Sequence, residues 1–273
     1  MATIGLYADP LVYDVLHSPG TAQDLDGLLR IAARFAPGGA PGPARRRPRW
    51  LEAACGTGRY LRAAQRRGID VVGFDLAPAM VAYARSRLVR GDAGLGRGRV
   101  VVADMTRFAR ALGGRRFDLA FNLINTFRHL PDDRAALAHL REVARVLRPA
   151  GVYALGITLN LYGEEVAFAE RWEGRRGACH VRQTVRYVPP GSRSQVRARI
   201  ERIESRLVVR RGRRVERHAS EYPLRSYDHG QWHALLARSP LRVVAVVDER
   251  GRAAEENPGE YQIYVLGRRG RAG

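Results

Sequence analysis

The 273-residue chain contains no lysine, so all 47 of its basic side chains are arginines. Set against 27 acidic residues, they give a formal net charge of +20. A surface selected to bind nucleic acid would recruit both basic residues, whereas an all-arginine set is typical of a GC-rich coding bias. We therefore do not take the charge as a sign of a nucleic-acid partner.

Cysteine is also scarce. Cys55 and Cys179 alone exclude a disulfide framework and any Cys-x-x-Cys metal site. No apolar run approaches the ~18 residues that a membrane helix needs. The first residues lack the basic start and apolar core of a signal peptide. These absences favour a soluble, cytoplasmic protein with no membrane partner.

The remaining sequence falls into regions of different rhythm. Residues 1–36 are predicted to form a helical segment in which Thr21 caps a helix. Proline and glycine dominate residues 37–49, which predicts a linker. Short unalternating apolar runs separated by amphipathic stretches fill residues 48–160 and 226–268. That rhythm predicts an α/β domain, with a doubly wound, seven-stranded, mostly parallel sheet of Rossmann-like type.

Residues 161–225 follow a different pattern, with 16 arginines and 8 glutamates in which apolar and charged residues alternate. The alternation is clearest at Val196, Ala198 and Ile200. Period-two alternation predicts an inserted antiparallel β layer, with hairpin turns at 189–191 and 211–212. Residues 269–273 are predicted to be a disordered tail.

Polar and glycine residues gather where the predicted strands end. In an open α/β sheet, ligands bind at the carboxyl ends of the strands. Glu52–Gly58 follows the first strand, and Gly56 and Gly58 would let backbone approach a ligand closely, although a simple tight turn has the same composition. Leu61 replaces the third glycine of a dinucleotide loop, and the lysine of a phosphate-binding loop is absent. A cofactor with ribose and adenine but no phosphates fits better.

Three further polar residues fit such a ligand. Asp75 ends the second strand, where a carboxylate can accept from both ribose hydroxyls. Asp104 follows the third strand and can accept from the adenine amine, while Met105 packs on the ring. Asn122 ends the fourth strand. Each alone is an ordinary polar strand terminus, but their coincidence at successive strand ends favours a binding site.

Four segments carry a family resemblance. They are Glu-Ala-Ala-Cys-Gly-Thr-Gly at 52–58, Gly-Phe-Asp-Leu-Ala-Pro-Ala-Met at 73–80, Ala-Asp-Met at 103–105 and Phe-Asp-Leu-Ala-Phe-Asn at 117–122. These segments resemble the successive motifs of class I S-adenosylmethionine-dependent methyltransferases. The resemblance covers roughly residues 48–160 and, more loosely, 226–268. The segment 140–151 is similar to the helix that leads into the fifth strand of the family. The sequence departs from the family pattern at two positions: Ala54 stands where the motif usually has its first glycine, and Ala150 replaces a common glycine at the end of segment 140–151.

The resemblance implies S-adenosylmethionine as cofactor and no metal. Glu52 would contact the methionine amino end, Asp75 the ribose, and Asp104 with Met105 the adenine. The residues predicted to bind the cofactor are Tyr13, Glu52, Ala54, Cys55, Gly56, Gly58, Asp75, Leu76, Asp104, Met105 and Asn122. Tyr13 belongs to a segment that related enzymes fold over the cofactor, though packing of an N-terminal helix is the favoured explanation of this tyrosine.

The family resemblance also implies a small-molecule acceptor, methylated on nitrogen or oxygen. His129 is the candidate general base, and Asn125, Arg128 and Trp172 are candidate acceptor contacts. A histidine that caps or packs a helix explains His129 as well. The other six histidines show no metal spacing and are predicted to be solvated. The inserted β layer could roof the acceptor pocket or form a homodimer contact.

Two other functions remain open from the sequence. One is an RNA-directed methyltransferase or RNA-binding module that uses the arginine-rich insertion. Interleaved glutamates and an aromatic content of 8% weaken that interpretation. The other is a regulatory sensor that binds the cofactor without transferring a methyl group.

Overall fold

The computed structural model describes residues 5–42, 46–89 and 94–270. The helices in these ranges are α1 Pro10–His17, α2 Thr21–Phe35, α3 Arg59–Arg66, α4 Pro78–Arg87, α5 Asp133–Val146, α6 Arg193–Ala198 and α7 His229–Ala237. The strands are β1 Arg49–Ala53, β2 Asp70–Asp75, β3 Gly98–Val102, β4 Phe117–Asn122, β5 Leu147–Thr158, β6 Phe168–Arg176, β7 Cys179–Val188, β8 Ile200–Arg211, β9 Arg214–Arg225, β10 Leu241–Val247 and β11 Tyr261–Arg268.

Seven strands form one sheet in the order β10-β11-β5-β4-β1-β2-β3. The pairs from β3 to β5 are parallel, and β11 runs antiparallel to both β5 and β10. The unalternating apolar runs are explained by burial on both faces. Leu51 and Phe74 lie in one core cluster, whereas Trp50 and Val71 lie in another. The predicted doubly wound, mostly parallel sheet is confirmed.

The strand order sets the place of the binding crevice. From β1 the chain moves outward to β2 and β3, and it then returns to place β4 on the other side of β1. The strand order therefore reverses between β1 and β4, where the helices that follow the two strands diverge. Such a switch point opens a crevice at the carboxyl ends of the strands.

A second sheet has the order β6-β7-β8-β9 and is antiparallel throughout, as predicted. Alternate residues of β8 are buried, beginning with Glu201 and Ile203, so this inserted sheet has one face against the protein. Helix α1 packs on that face. A Cβ atom at Gly174 would lie 2.1 Å from the carbonyl oxygen of Val15, so glycine is required for this close approach.

Local predictions were wrong at two places, helix α6 and the cap of helix α2. Val196 and Ala198 lie in helix α6 because Ser192 caps it, accepting from the amide of Gln195 at 3.3 Å, and the connection is no tight hairpin turn. Gly20 caps α2 without a side-chain hydrogen bond, and Thr21 is its first residue.

At the start of the predicted tail, the amide of Arg269 donates to the carbonyl of Pro240 at 2.9 Å. Residues 271–273 lie outside the described ranges, as do residues 43–45 of the predicted linker. Among the helices described, none combines the length and apolar character needed to cross a membrane.

Candidate active site

Hydrogen bonds join the ends of three neighbouring strands. The side-chain amide of Asn122 donates to the carbonyl of Ala53 at 2.8 Å, which ties the end of β4 to β1. The amide of Gly56 donates to Oδ2 of Asp75 at 2.8 Å, which ties the glycine loop to the end of β2. Three of the predicted residues, Gly56, Asp75 and Asn122, are thus brought to one edge of the sheet.

Asp75 and Asp104 end adjacent strands on that same edge. The amide of Ala103 donates to the carbonyl of Asp75 at 3.0 Å. Burial raises the pKa of Asp75 despite hydrogen bonds from the Ala77 and Gly56 amides. Burial acts the same way on Asp104, but two hydrogen bonds from Thr106, at 2.6 and 2.7 Å, leave its pKa below the ordinary value. Both carboxylates therefore lie at the same edge of the sheet, held by protein donors.

A small cavity of about 20 Å³ lies beside the glycine loop. The predicted residues that line it are Tyr13, Glu52, Ala54, Cys55 and Asn122. Glu52 Oε2 and Asn122 Oδ1 are buried and accept no hydrogen bond from any residue that the structure describes. Burial raises the pKa of Glu52, and the positive charge of Arg59 opposes that shift. Unpaired acceptors are costly in a protein interior, so these two oxygens fit a ligand that brings its own donors, such as an amino-acid ammonium group.

The glycine loop has left-handed backbone at three residues. Gly56 and Gly58 have φ of +50° and +68°, and Ala54 has φ of +51°. A Cβ atom at Gly56 would lie 3.2 Å from Cε1 of Tyr13, so the ring closes directly over this glycine. Ala54 has a backbone conformation that favours glycine. The alanine that stands here in place of the usual glycine is therefore a strained residue.

The loop after β4 is strained as well. Ile124 and Asn125 have φ of +50° and +60°, and left-handed backbone is rare for a β-branched residue. The Asn125 carboxamide oxygen accepts from the amide of Thr158 at 2.7 Å, which fixes the loop to the end of β5. Such strain persists where surrounding contacts over-determine it, and it concentrates at functional sites.

Helix α1 is held over the glycine loop by a buried carboxylate. Asp14 pairs with Arg62 of α3 at 2.7 Å and with Arg176 of β6 at 2.8 Å. Burial alone would raise the pKa of Asp14, but the hydrogen bonds and charges of Arg62 and Arg176 lower it. One side chain thus ties α1 both to the parallel domain and to the inserted sheet.

Aromatic rings line the space between the β4 loop and the inserted sheet. The members of this aromatic enclosure are Tyr7, Tyr13, His17, His129, Trp172 and Tyr222. His129 stacks on Tyr222 with ring centroids 5.7 Å apart and meets Tyr7 edge-on at 6.1 Å. Tyr13 lies 4.4 Å from His17, which lies 5.3 Å from Trp172. Desolvation by these neighbours lowers the pKa of His129, and the charge of Arg128 lowers it further.

The structure corrects the predicted role of Arg128. Its guanidinium is buried and forms an ion pair with Glu201 of β8, and its Nε donates to the carbonyl of Arg225 at 2.8 Å. These protein partners occupy the side chain, so Arg128 ties the β4 loop to the inserted sheet instead of facing an acceptor. Glu201 lies 73 residues away in the sequence, which left no local signal for the pairing.

Leu76, Met105 and Trp172, the other predicted residues, differ in their surroundings. Leu76 is exposed, Met105 is half-buried against the core, and Trp172 packs between two clusters of the inserted sheet.

His139, predicted to be solvated, is fully buried. Its ring nitrogens lie 3.0 Å from the Met105 carbonyl and 2.8 Å from the Tyr153 hydroxyl. Burial lowers the pKa of His139 to about 4, so the ring is neutral and fixes the loop that carries Met105.

Sequence reasoning missed six residues of the cavity wall: Ala53, Arg59, Tyr60, Leu123, Ile124 and Thr126. The Arg59 guanidinium lies 3.9 Å from the centroid of the Tyr60 ring. The position of Arg59 directly after Gly58, at the start of α3, was the one available signal. A larger groove of about 710 Å³ is lined by residues of the inserted sheet and α6, among them Ile200, Arg202 and Tyr222, so it borders the aromatic enclosure at Tyr222.

Comparison with known proteins agrees with this geometry. Residues 51–151 match the family model described as a methyltransferase domain. That segment contains the glycine loop and the strand-end carboxylates, so the part of the chain that carries the candidate site is similar to a methyltransferase domain.

Several solved structures share the fold. One is the sugar N-methyltransferase KedS8 from Streptoalloteichus, with 21% identity, a TM-score of 0.73, and coverage of 99% of this chain and 95% of that one. CcbJ methyltransferase from Streptomyces caelestis has 17% identity, a TM-score of 0.68, and coverage of 96% and 97%. CalS10, an amino pentose methyltransferase from Micromonospora echinaspora, has 23% identity, a TM-score of 0.60, and coverage of 90% and 89%. No curated protein sequence gave a match.

Proposed function

We propose that this protein is an S-adenosylmethionine-dependent methyltransferase that methylates the amino group of a small, sugar-like acceptor. The observation that carries the proposal is the aromatic enclosure, which lies between the strained β4 loop and the inserted sheet, beside the cofactor crevice. Aromatic faces suit the C–H surface of a sugar ring. The likeness to a sugar N-methyltransferase and an amino pentose methyltransferase supports the same substrate class.

The cofactor supplies an electrophilic methyl group bound to a sulfonium. Within the proposal, Glu52 and Asn122 offer their unpaired oxygens to its ammonium group, and Asp75 accepts from its ribose hydroxyls. Asp104 and Met105 hold the adenine. These residues act by orientation, because an in-line displacement requires mainly that the two reactants be aligned and kept from water.

His129 and its neighbours act on the acceptor in this proposal. The lowered pKa keeps the imidazole neutral at pH 7, so one ring nitrogen can accept a hydrogen bond from the acceptor amine. A neutral amine has the lone pair that displacement needs. The imidazole thereby orients the nitrogen of the acceptor amine. Because its pKa is low, it is too weak a base to deprotonate an alkylammonium group.

The arginines of the inserted sheet weigh against an RNA substrate. Arg182, Arg186 and Arg202 pair with glutamates of the same sheet at 3.2, 3.2 and 3.1 Å. Paired arginines release fewer counterions on binding phosphates. The surface charge is thus partly compensated within the protein.

The test is incubation with isotopically labelled S-adenosylmethionine and three candidate acceptors: an amino sugar, its hydroxyl analogue, and RNA. We expect label on the amino sugar alone. Label on RNA, or on the hydroxyl analogue alone, would overturn the proposal. Calorimetry on Asp75→Asn tests the cofactor site, and Asp70→Asn, at the opposite end of β2, is the matched control. Equal cofactor affinity in both variants would contradict the assignment of Asp75.

A further inference from the structure

Two histidines of α7 and one glutamate form a cluster away from the active site. The Nε2 atoms of His229 and His233 lie 2.7 and 2.8 Å from the same carboxylate oxygen of Glu256. The three potential ligand atoms lie within 4.8 Å of one another. The expectation that the histidines lack metal spacing is therefore wrong for this pair, because residues i and i+4 of a helix share one face.

The three side chains are carried by well-fixed backbone. Asp228 caps α7 through the amide of Gln231 at 2.7 Å, and the next residue, Trp232, is fully buried. On the other side, the Gln262 carboxamide binds the Asn257 amide at 2.8 Å and the Glu255 carbonyl at 2.6 Å, so it holds both neighbours of Glu256. The donors are thus brought together by two independent sets of hydrogen bonds.

The surrounding charge differs from that of the whole chain. Residues 248–260 contain five acidic residues and two arginines, in a protein with a formal net charge of +20. Glu256 itself pairs with the two histidines. A cation is therefore favoured here, although the molecule as a whole repels cations.

We propose that His229, His233 and Glu256 bind a divalent transition-metal ion of the Zn²⁺ class. Two imidazoles and one carboxylate form a donor set that Zn²⁺ uses in proteins. With bonds of ~2.0–2.1 Å, tetrahedral ligand atoms lie about 3.3 Å apart, so the side chains must separate by about half an ångström from their present contacts. Partial exposure of all three side chains allows that movement and leaves the fourth position to water.

The bound ion would join the start of α7 to the connection between β10 and β11. It would add a link on the side of the sheet where β11 runs antiparallel. None of its ligands belongs to the cofactor cavity or the aromatic enclosure, so we expect a stabilising site that leaves methyl transfer unchanged. The inference does not depend on the identity of the acceptor.

The experiment is titration of the full-length protein with Zn²⁺ alone, followed by calorimetry and thermal unfolding. We expect one site per chain, a rise in unfolding temperature, and at least about tenfold weaker binding in His233→Ala and Glu256→Gln. Glu256→Gln keeps a hydrogen-bond acceptor for the histidines, so it separates metal binding from the existing contacts. His180→Ala is the matched control, because His180 pairs with Glu173 as a single histidine and carboxylate.

Zinc binding of equal strength in wild type, His233→Ala and Glu256→Gln would overturn the proposal, as would the absence of binding to wild type. Should His233→Ala unfold without metal, the more exposed His229→Ala replaces it. Substitution by Co²⁺ gives a second readout, since a tetrahedral site has strong visible absorption.

Discussion

The ion pair between Arg128 and Glu201 leads to a strong stability prediction. Only 3% and 6% of the two side chains are exposed, and the pair joins the β4 loop to the inserted sheet. Removing one partner of a buried pair leaves an uncompensated charge, at a cost of about 3–5 kcal/mol. For a protein of this size, about 1 kcal/mol lowers the unfolding temperature by about 2–4 °C. We therefore expect Glu201→Leu to lower it by roughly 10 °C.

The matched control is Glu204→Leu in the same strand. Glu204 pairs with Arg186 at 3.2 Å, but both side chains are exposed to solvent, at 33% and 50%. Exposed pairs contribute about 0–1 kcal/mol, so this variant should unfold within a few degrees of wild type. The double variant Arg128→Met with Glu201→Leu should recover most of the loss, because no buried charge remains. Equal unfolding temperatures for Glu201→Leu and Glu204→Leu in differential scanning calorimetry would refute this reasoning.

Further predictions concern the backbone, pH and the acceptor. Ala54→Gly should stabilise the protein by about 1 kcal/mol in urea unfolding, since it relieves left-handed strain; a loss of stability would contradict the strain. The pKa of His139 in the folded protein, about 4, lies below its ordinary value. Its contribution to the free energy of unfolding is therefore fully present above pH ~6.5 and falls by about 3 kcal/mol as the pH decreases to 4. His139→Gln should flatten that profile, and an unchanged slope would exclude the histidine as its source. Tyr222→Ala should raise the acceptor KM at least about tenfold while leaving the cofactor KM unchanged, as steady-state kinetics would show; a change confined to the cofactor KM would argue against the enclosure.

The central sheet was predictable because its signal is local and repeated. Residues such as Leu51 and Phe74 lie in apolar runs without alternation, and burial on both faces is the ordinary cause of such runs. Asp75, Asp104 and Asn122 could be grouped from sequence because parallel strands end at one edge. Their exact partners, such as the Gly56 amide on Asp75, depend on the course of the glycine loop.

The acceptor side was harder to predict because its contacts join distant segments. Tyr7 and Tyr222 meet His129 only when the segment before α1 and strand β9 have both packed. The same distance in sequence concealed the partner of Arg128. Val196 and Ala198 show the limit of a short pattern, since three residues at period two are also compatible with one helical turn once Ser192 caps it.

The shared carboxylate of Asp14 has a mechanical consequence. Tyr13 covers Gly56 while its neighbour Asp14 is bound to Arg62 and Arg176, so α1 cannot rise from the glycine loop and keep both ion pairs. Movement with the inserted sheet breaks the contact to Arg62, and movement without it breaks the contact to Arg176. Opening of the glycine loop to a nucleoside-sized ligand and the position of the inserted sheet are therefore coupled through the carboxylate of Asp14.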